Sequence, residues 1–174
     1  MQGDKYSIDM CSGPIFSKII LFSVPLILSG ILQLMFNAAD LIVLGRFASP
    51  EAMAAVGATA FLTNLIVNVF IGLSIGTNVL AASYLGAKNW KNTSRTVHTA
   101  IAVSLAGGAA LAIIGIPISK PLLEMMSTPD DIIGMAALYM WIYCAGLPFI
   151  LLYNFGSAVM RAAGDPRRPL LYLV

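Results

Sequence analysis

Residues 19–43 read IILFSVPLILSGILQLMFNAADLIV. A helix needs about 20 apolar residues to cross the hydrocarbon core of a bilayer, and this run is long enough. Backbone groups in lipid must pair internally, which allows only a helix or a closed barrel. Barrel strands are short and alternate in polarity, whereas this run is apolar on all sides, so it is helical. One charge interrupts it, Asp40. A carboxylate at membrane depth costs about 2.5–3.5 kcal/mol on the most lenient scale. Such a residue is kept where it faces a polar cavity, an ion path or a partner, so Asp40 points to transport. The blander reading places it at the outer interface, among headgroups or water. Against that, Leu41 to Leu44 continue the apolar run before Arg46.

The rest of the chain has the same character. Hydrophobic residues make up 59% of the 174 and charged ones 10%, against about 25% charged in a soluble domain. The mean hydropathy is +0.87. A net charge of +2, spread along the chain, leaves no footprint for nucleic acid. Cys11 and Cys144 have no metal-type spacing and read as free thiols. The polar first eighteen residues, with no small-residue cleavage site after the first apolar run, argue for an uncleaved first span rather than a signal peptide.

Charged and turn-forming clusters divide the chain into spans at about 17–44, 52–85, 96–118 and 132–160, with the start of a fifth at 169. The expected fold is therefore all-α, a polytopic membrane helical bundle. The fifth run stops within two turns, which reads as part of a longer protein. Lys5, Lys18, Lys88, Lys91, Arg95, Arg161, Arg167 and Arg168 fall before span 1, between spans 2 and 3, and after span 4. The other two loops hold Arg46 and Lys120 with several carboxylates. The basic side is cytoplasmic, so the N-terminus is expected inside, with the 47–51 and 119–131 loops outside.

Polar residues within the spans are the candidate site. Ser29, Gln33, Asn37 and Asp40 follow spacings of four, four and three and share one face of span 1. Pro25 removes a backbone hydrogen bond in the inner half of that helix, as a static kink or as a hinge. Asn64 and Asn68, one turn apart in span 2, line a cavity or bond to a neighbouring helix. Gly72 and Gly76 form a GxxxG pair that lets another helix approach closely. Span 3, with Ala106 to Ala110 all small, reads as a packing helix. Span 4 holds Tyr139, Tyr143, Pro148, Tyr153 and Asn154. Tyr139 and Asp40 lie at similar depths from the outer side, about 10 and 9 Å at the helical rise, although tyrosines near helix ends are often interfacial anchors. His98 sits at the cytoplasmic start of span 3. No Walker-type loop, H-E-x-x-H or nucleophile elbow is present. A transporter of this kind draws on ion gradients rather than ATP, and no enzyme constellation is visible.

Three segments resemble multidrug and toxic compound extrusion (MATE) transporters: PLILSGILQLMFNAADLIVLGRFA in span 1, GLSIGTNVLAASYLGAKN at the end of span 2, and RAAGDPRRPLL after span 4. The resemblance runs nearly the whole length, in register. It implies an efflux antiporter of two six-helix bundles, of which this chain is most of the N-terminal one. That is most of one six-helix half of a twelve-helix transporter, with its C-terminal helices still to be supplied by the same protein. It implies export of small amphipathic or cationic compounds, such as xenobiotics, in exchange for H⁺ or Na⁺. No cofactor and no metal are implied beyond Na⁺ at Asp40. Asp40 matches the family's ion-coupling aspartate, and Gln33, Tyr139 and Asn154 its polar cavity residues. The setting implied is the plasma (inner) membrane, with the lipid bilayer as partner. Two other readings remain: a flippase for a lipid-linked saccharide, disfavoured by the lack of internal Arg or Lys, and a non-transporting helical module.

Overall fold

The computed structural model describes residues 14–173, all of whose regular structure is helical. Lys5 and Cys11 lie outside the described residues. Five helices follow one another: α1 (Ile15–Phe47), α2 (Pro50–Gly86), α3 (Trp90–Met125), α4 (Asp130–Ala162) and α5 (Arg167–Leu173). The first four are long and apolar enough to cross a membrane.

α2 and α3 extend beyond their apolar runs because local chemistry starts or continues them. Ser49, Pro50 and Glu51 form the head of α2: the Ser49 hydroxyl accepts from the Ala52 amide at 3.3 Å, Pro50 has no amide to satisfy, and Glu51 lies at the positive end of the helix dipole. The Asn89 side chain does the same for α3, accepting from the Asn92 amide at 3.2 Å. The polar stretch 90–95 is therefore helical rather than loop. At its other end α3 passes through Pro117 and Pro121 and continues to Met125, so much of the expected 119–131 loop is helix. Lys88 and Ser127 take left-handed backbone angles, φ 55° and 58°, at the turns after α2 and α3.

The core is α2, α3 and α4, with α4 packed against both of the others. It is built from Ala55, Leu123, Ile132, Ala136, Ala137, Met140, Cys144 and Leu147. Small side chains let the helices close on one another. At Gly108 of α3 a Cβ would lie 2.5 Å from the Pro148 Cα of α4, so only glycine permits that crossing. The expected close approach at Gly72 and Gly76 is absent among the described residues: nothing lies within 4 Å of a Cβ at either. The tight helix contact falls on α3, the packing helix foreseen from its small residues.

Several buried hydroxyls are satisfied within their own helices, as an apolar surround favours. Thr59, Ser74, Ser104 and Ser119 donate to carbonyls three residues back at 2.7–2.8 Å. Among the described residues, two side-chain bonds tie the core helices α2, α3 and α4 together. The Asn78 amide donates to the Ala158 carbonyl at 2.7 Å, and the Trp141 indole N–H to the Ser119 Oγ at 2.8 Å. The outer surface is apolar on every long helix, with Ile27, Leu65, Ile113 and Phe149 among the exposed side chains. That is a surface made for lipid.

α1 stands apart from this core. It touches α5 and, more sparsely, α2. Pro25 is its one buried residue.

Candidate functional site

The polar face of α1 is open. Gln33, Asn37 and Asp40 are all exposed, and no hydrogen bond or ion pair holds Asp40 among the described residues. Ser29, half-buried at the N-terminal end of the face, donates its hydroxyl to the Pro25 carbonyl at 2.8 Å. Pro25 and Ser29 thus alter the same turn, one by removing a donor and the other by drawing a carbonyl off the helix ladder. The helix nevertheless runs unbroken from Ile15 to Phe47.

Leu44 follows Asp40 by one turn and shares its face. It lines a cavity of about 270 Å³ with Ala52, Ala55 and Val56 of α2 and Met135, Leu138, Tyr139 and Ile142 of α4. One turn beyond Asp40, α1 thus reaches a cavity shared with α2 and α4 that Tyr139 also lines, while Asp40 itself is exposed and lies outside that lining. The Tyr139 ring stacks on Tyr143, with centroids 6.3 Å apart and planes at 22°.

The other expected residues are less closely joined to this group. The Asn64 amide donates to the Ala60 carbonyl at 2.7 Å and the Asn68 amide to the Asn64 carbonyl at 2.8 Å. Both are exposed and bonded to their own helix, so neither bridges to a neighbour among the described residues. Asn154 is bonded likewise to the Ile150 carbonyl at 2.9 Å. His98 sits exposed on α3, its Nδ1 2.7 Å from the Ser94 carbonyl.

Asp165 was overlooked in the sequence. It is buried, and its Oδ1 accepts the Arg167 and Arg168 amides at 3.1 Å each. Its Oδ2 lies 3.0 Å from the Arg168 Nε as an ion pair whose geometry falls outside that of a hydrogen bond. The Tyr153 hydroxyl donates to the Pro169 carbonyl at 3.0 Å and fastens α5 to α4. Gly164, at φ 81°, makes the turn before Asp165. The signal was present: an Asp followed by Pro is a helix start, a capping carboxylate ahead of a residue that needs no amide partner.

A family model described as MatE matches residues 25–174. The chain belongs to the MatE family. All the candidate residues from Pro25 to Asn154 fall inside the MatE match. Over 160 residues the chain is 31% identical to a Bacillus subtilis (strain 168) protein named "Probable multidrug resistance protein YoeA", covering 92% of this chain and 35% of that one. Among solved structures, one titled "Crystal structure of MATE in complex with MaD3S" superposes with a TM-score of 0.85 at 27% identity, over 90% of this chain and 35% of that one. Another, "Outward-facing conformation of a multidrug resistance MATE family transporter of the MOP superfamily", also gives 0.85, at 25% identity over 95% of this chain and 36% of that one. The chain thus spans about a third of the length of the MatE relatives it matches. It is a multi-pass helical membrane chain of that family.

Proposed function

We propose that this chain forms the N-terminal part of an efflux antiporter that exports amphipathic or cationic compounds in exchange for H⁺ or Na⁺. Asp40 is its coupling residue. The observation that carries the reading is a carboxylate deep in an apolar helix, on an open polar face with Asn37 and Gln33, and with no protein cation beside it among the described residues. Such a carboxylate is available to a proton, to Na⁺ or to a cationic substrate, and it cannot hold an ion and a cationic substrate equally well at once. Binding of the ion neutralises it, and the cationic cargo loses its counter-charge. Net exchange requires that ion and cargo favour different conformations. Pro25 and Ser29 loosen one turn of α1 at the inner end of the same face and serve as the hinge.

Tyr139, which shares a cavity with Leu44 one turn beyond Asp40, offers an aromatic surface to an amphipathic cation. Asn64, Asn68 and Asn154 supply polar lining further along. The similarity to multidrug resistance transporters supports the cargo class. So does the placement of Lys and Arg near helix ends rather than within the spans, which disfavours an anionic lipid-linked saccharide. The protein is a transporter and not an enzyme. It sits in the plasma membrane with its N-terminus inside, and further helices of the same protein complete the ion site.

The test is gradient-driven efflux of ethidium from cells carrying the full-length protein. Asp40→Asn is expected to abolish efflux at unchanged membrane expression. Efflux at the wild-type rate by that variant removes Asp40 as the coupling residue.

A further inference from the structure

A second cavity lies away from the Asp40 face, at the cytoplasmic end of the bundle. It is an open-sided groove of about 450 Å³ between α2 and α3, floored by Phe155 of α4. Leu73 and Leu80 line it from α2. Leu73 is nine residues from Asn64, half a revolution round the helix at about 100° per residue. The groove therefore opens on the flank of α2 opposite the two asparagines. It is a separate site.

The groove is graded along its length. At its cytoplasmic mouth are Arg95, Asn92 and Tyr84, then Thr96, Thr99 and Thr77, and deeper in Leu73 and Val103. Val103 lies about 12 Å below Arg95 at the helical rise, and Leu73 about 16 Å below Tyr84. One leaflet of the hydrocarbon core is about 15 Å deep. The groove thus matches one leaflet, with its polar end at headgroup level. Trp90, exposed beside the mouth, has the place and character of an interfacial anchor.

The charge at the mouth is of one sign. Arg95 lines the mouth, Lys91 lies one turn before it on α3 and Lys88 in the turn that precedes α3, and the sequence holds no Asp or Glu between Glu51 and Glu124. The guanidinium of Arg95 and the side chains of Asn92 and Thr99 have no hydrogen-bond partner among the described residues. The Thr77 and Thr96 hydroxyls donate to carbonyls of their own helices, so these two present oxygen lone pairs to the groove while Arg95 presents donors.

We propose that this groove holds one anionic phospholipid of the inner leaflet. Its phosphate sits at Arg95, within reach of Lys88 and Lys91, its glycerol and ester region lies along the threonines, and an acyl chain lies against Leu73, Leu80 and Val103. The three uncompensated cations select an anionic headgroup over a zwitterionic one. The apolar depth selects a lipid over a free phosphate.

The full-length protein, reconstituted in nanodiscs of one part phosphatidylglycerol to four parts phosphatidylcholine and released for native mass spectrometry, tests this. One phosphatidylglycerol retained per protein, in excess of its share of the bilayer, is expected. Arg95→Gln is expected to cut that retention about fivefold, the factor that one basic side chain near an anionic surface contributes. Val103→Trp fills the apolar end and is expected to abolish retention with every cation in place. Lys120→Gln, at the far end of α3, is expected to leave it unchanged. Helical circular dichroism checks that each variant folds. Retention in the bilayer ratio by the wild type, or unchanged retention in both groove variants, overturns the proposal. In the latter case another helix of the full-length chain fills the groove. Release of the bound lipid by millimolar glycerol phosphate alone overturns the choice of a lipid over a free anion.

Discussion

Asp165 carries two jobs on one carboxylate. One oxygen caps α5 and the other pairs with Arg168, just beyond the end of α4. Its removal exposes the difference between the two. Asp165→Ala loses the cap, worth about 0.5–2 kcal/mol, and leaves the Arg167 and Arg168 amides without that acceptor. Asp165→Asn keeps an acceptor oxygen for the amides and gives up only the charge, opposite a partner whose side chain is 39% exposed and so contributes little. Thermal unfolding in detergent is expected to rank wild type above Asp165→Asn and that above Asp165→Ala. Equal melting of the two variants means that the ion pair, not the cap, holds α5. At the same scale Asp40 stands out as a candidate without any structure, because a lone carboxylate in an apolar run is costly in lipid. Asp165 was harder to see because it lies among arginines in a polar loop, where a charge violates nothing.

α3 shows what a membrane helix tolerates when its neighbours hold it. Two prolines sit inside it, and it continues past both, with Ser119 and Leu123 buried against the bundle. Gly108 marks the point of closest approach to α4, so Gly108→Ala is expected to destabilise by about 1–3 kcal/mol through overpacking. Gly72→Ala is expected to cost nothing in this bundle and to gain up to about 1 kcal/mol of helix propensity. Comparing the two melting temperatures checks this, and a larger loss at Gly72 means that a further helix seats on α2. α1 makes the contrasting case. Pro25→Ala restores a backbone donor and stiffens the turn shared with Ser29, and efflux by the full-length variant is expected to slow at equal expression. An unchanged rate identifies the proline as a static feature of the helix.

The whole bundle is a packed trio, α2 to α4, with α1 alongside it and touching mainly α5. Among the described residues this outlying helix carries the only carboxylate deep within a span, and it touches α2 only sparsely. Orientation is expressed at this scale too. With Cys11 and Cys144 replaced, Glu51→Cys is expected to react with a membrane-impermeant thiol reagent on intact cells, and Lys88→Cys only after permeabilisation. The reverse pattern inverts the assignment of the N-terminus to the cytoplasm. The four long helices and the membrane character were legible in the sequence because transfer of a run of some 20 apolar residues into lipid is a local property, summed along the chain. The polar face of α1 was legible because helical periodicity places it there whatever surrounds it. Which faces meet was not legible. A helix apolar all round has no stripe to mark its buried side, and lipid chains are as apolar as leucine. Packing in such a bundle is settled by shape: Gly108 against Pro148 rather than the GxxxG pair of α2, and Leu44 opposite Tyr139. The polar side chains could turn inwards to their own carbonyls, as Asn64 and Asn68 do, or outwards to another helix, as Asn78 does. Which of these an amide takes depends on whether a carbonyl of a neighbouring helix comes within about 3 Å, and the folded bundle sets that distance.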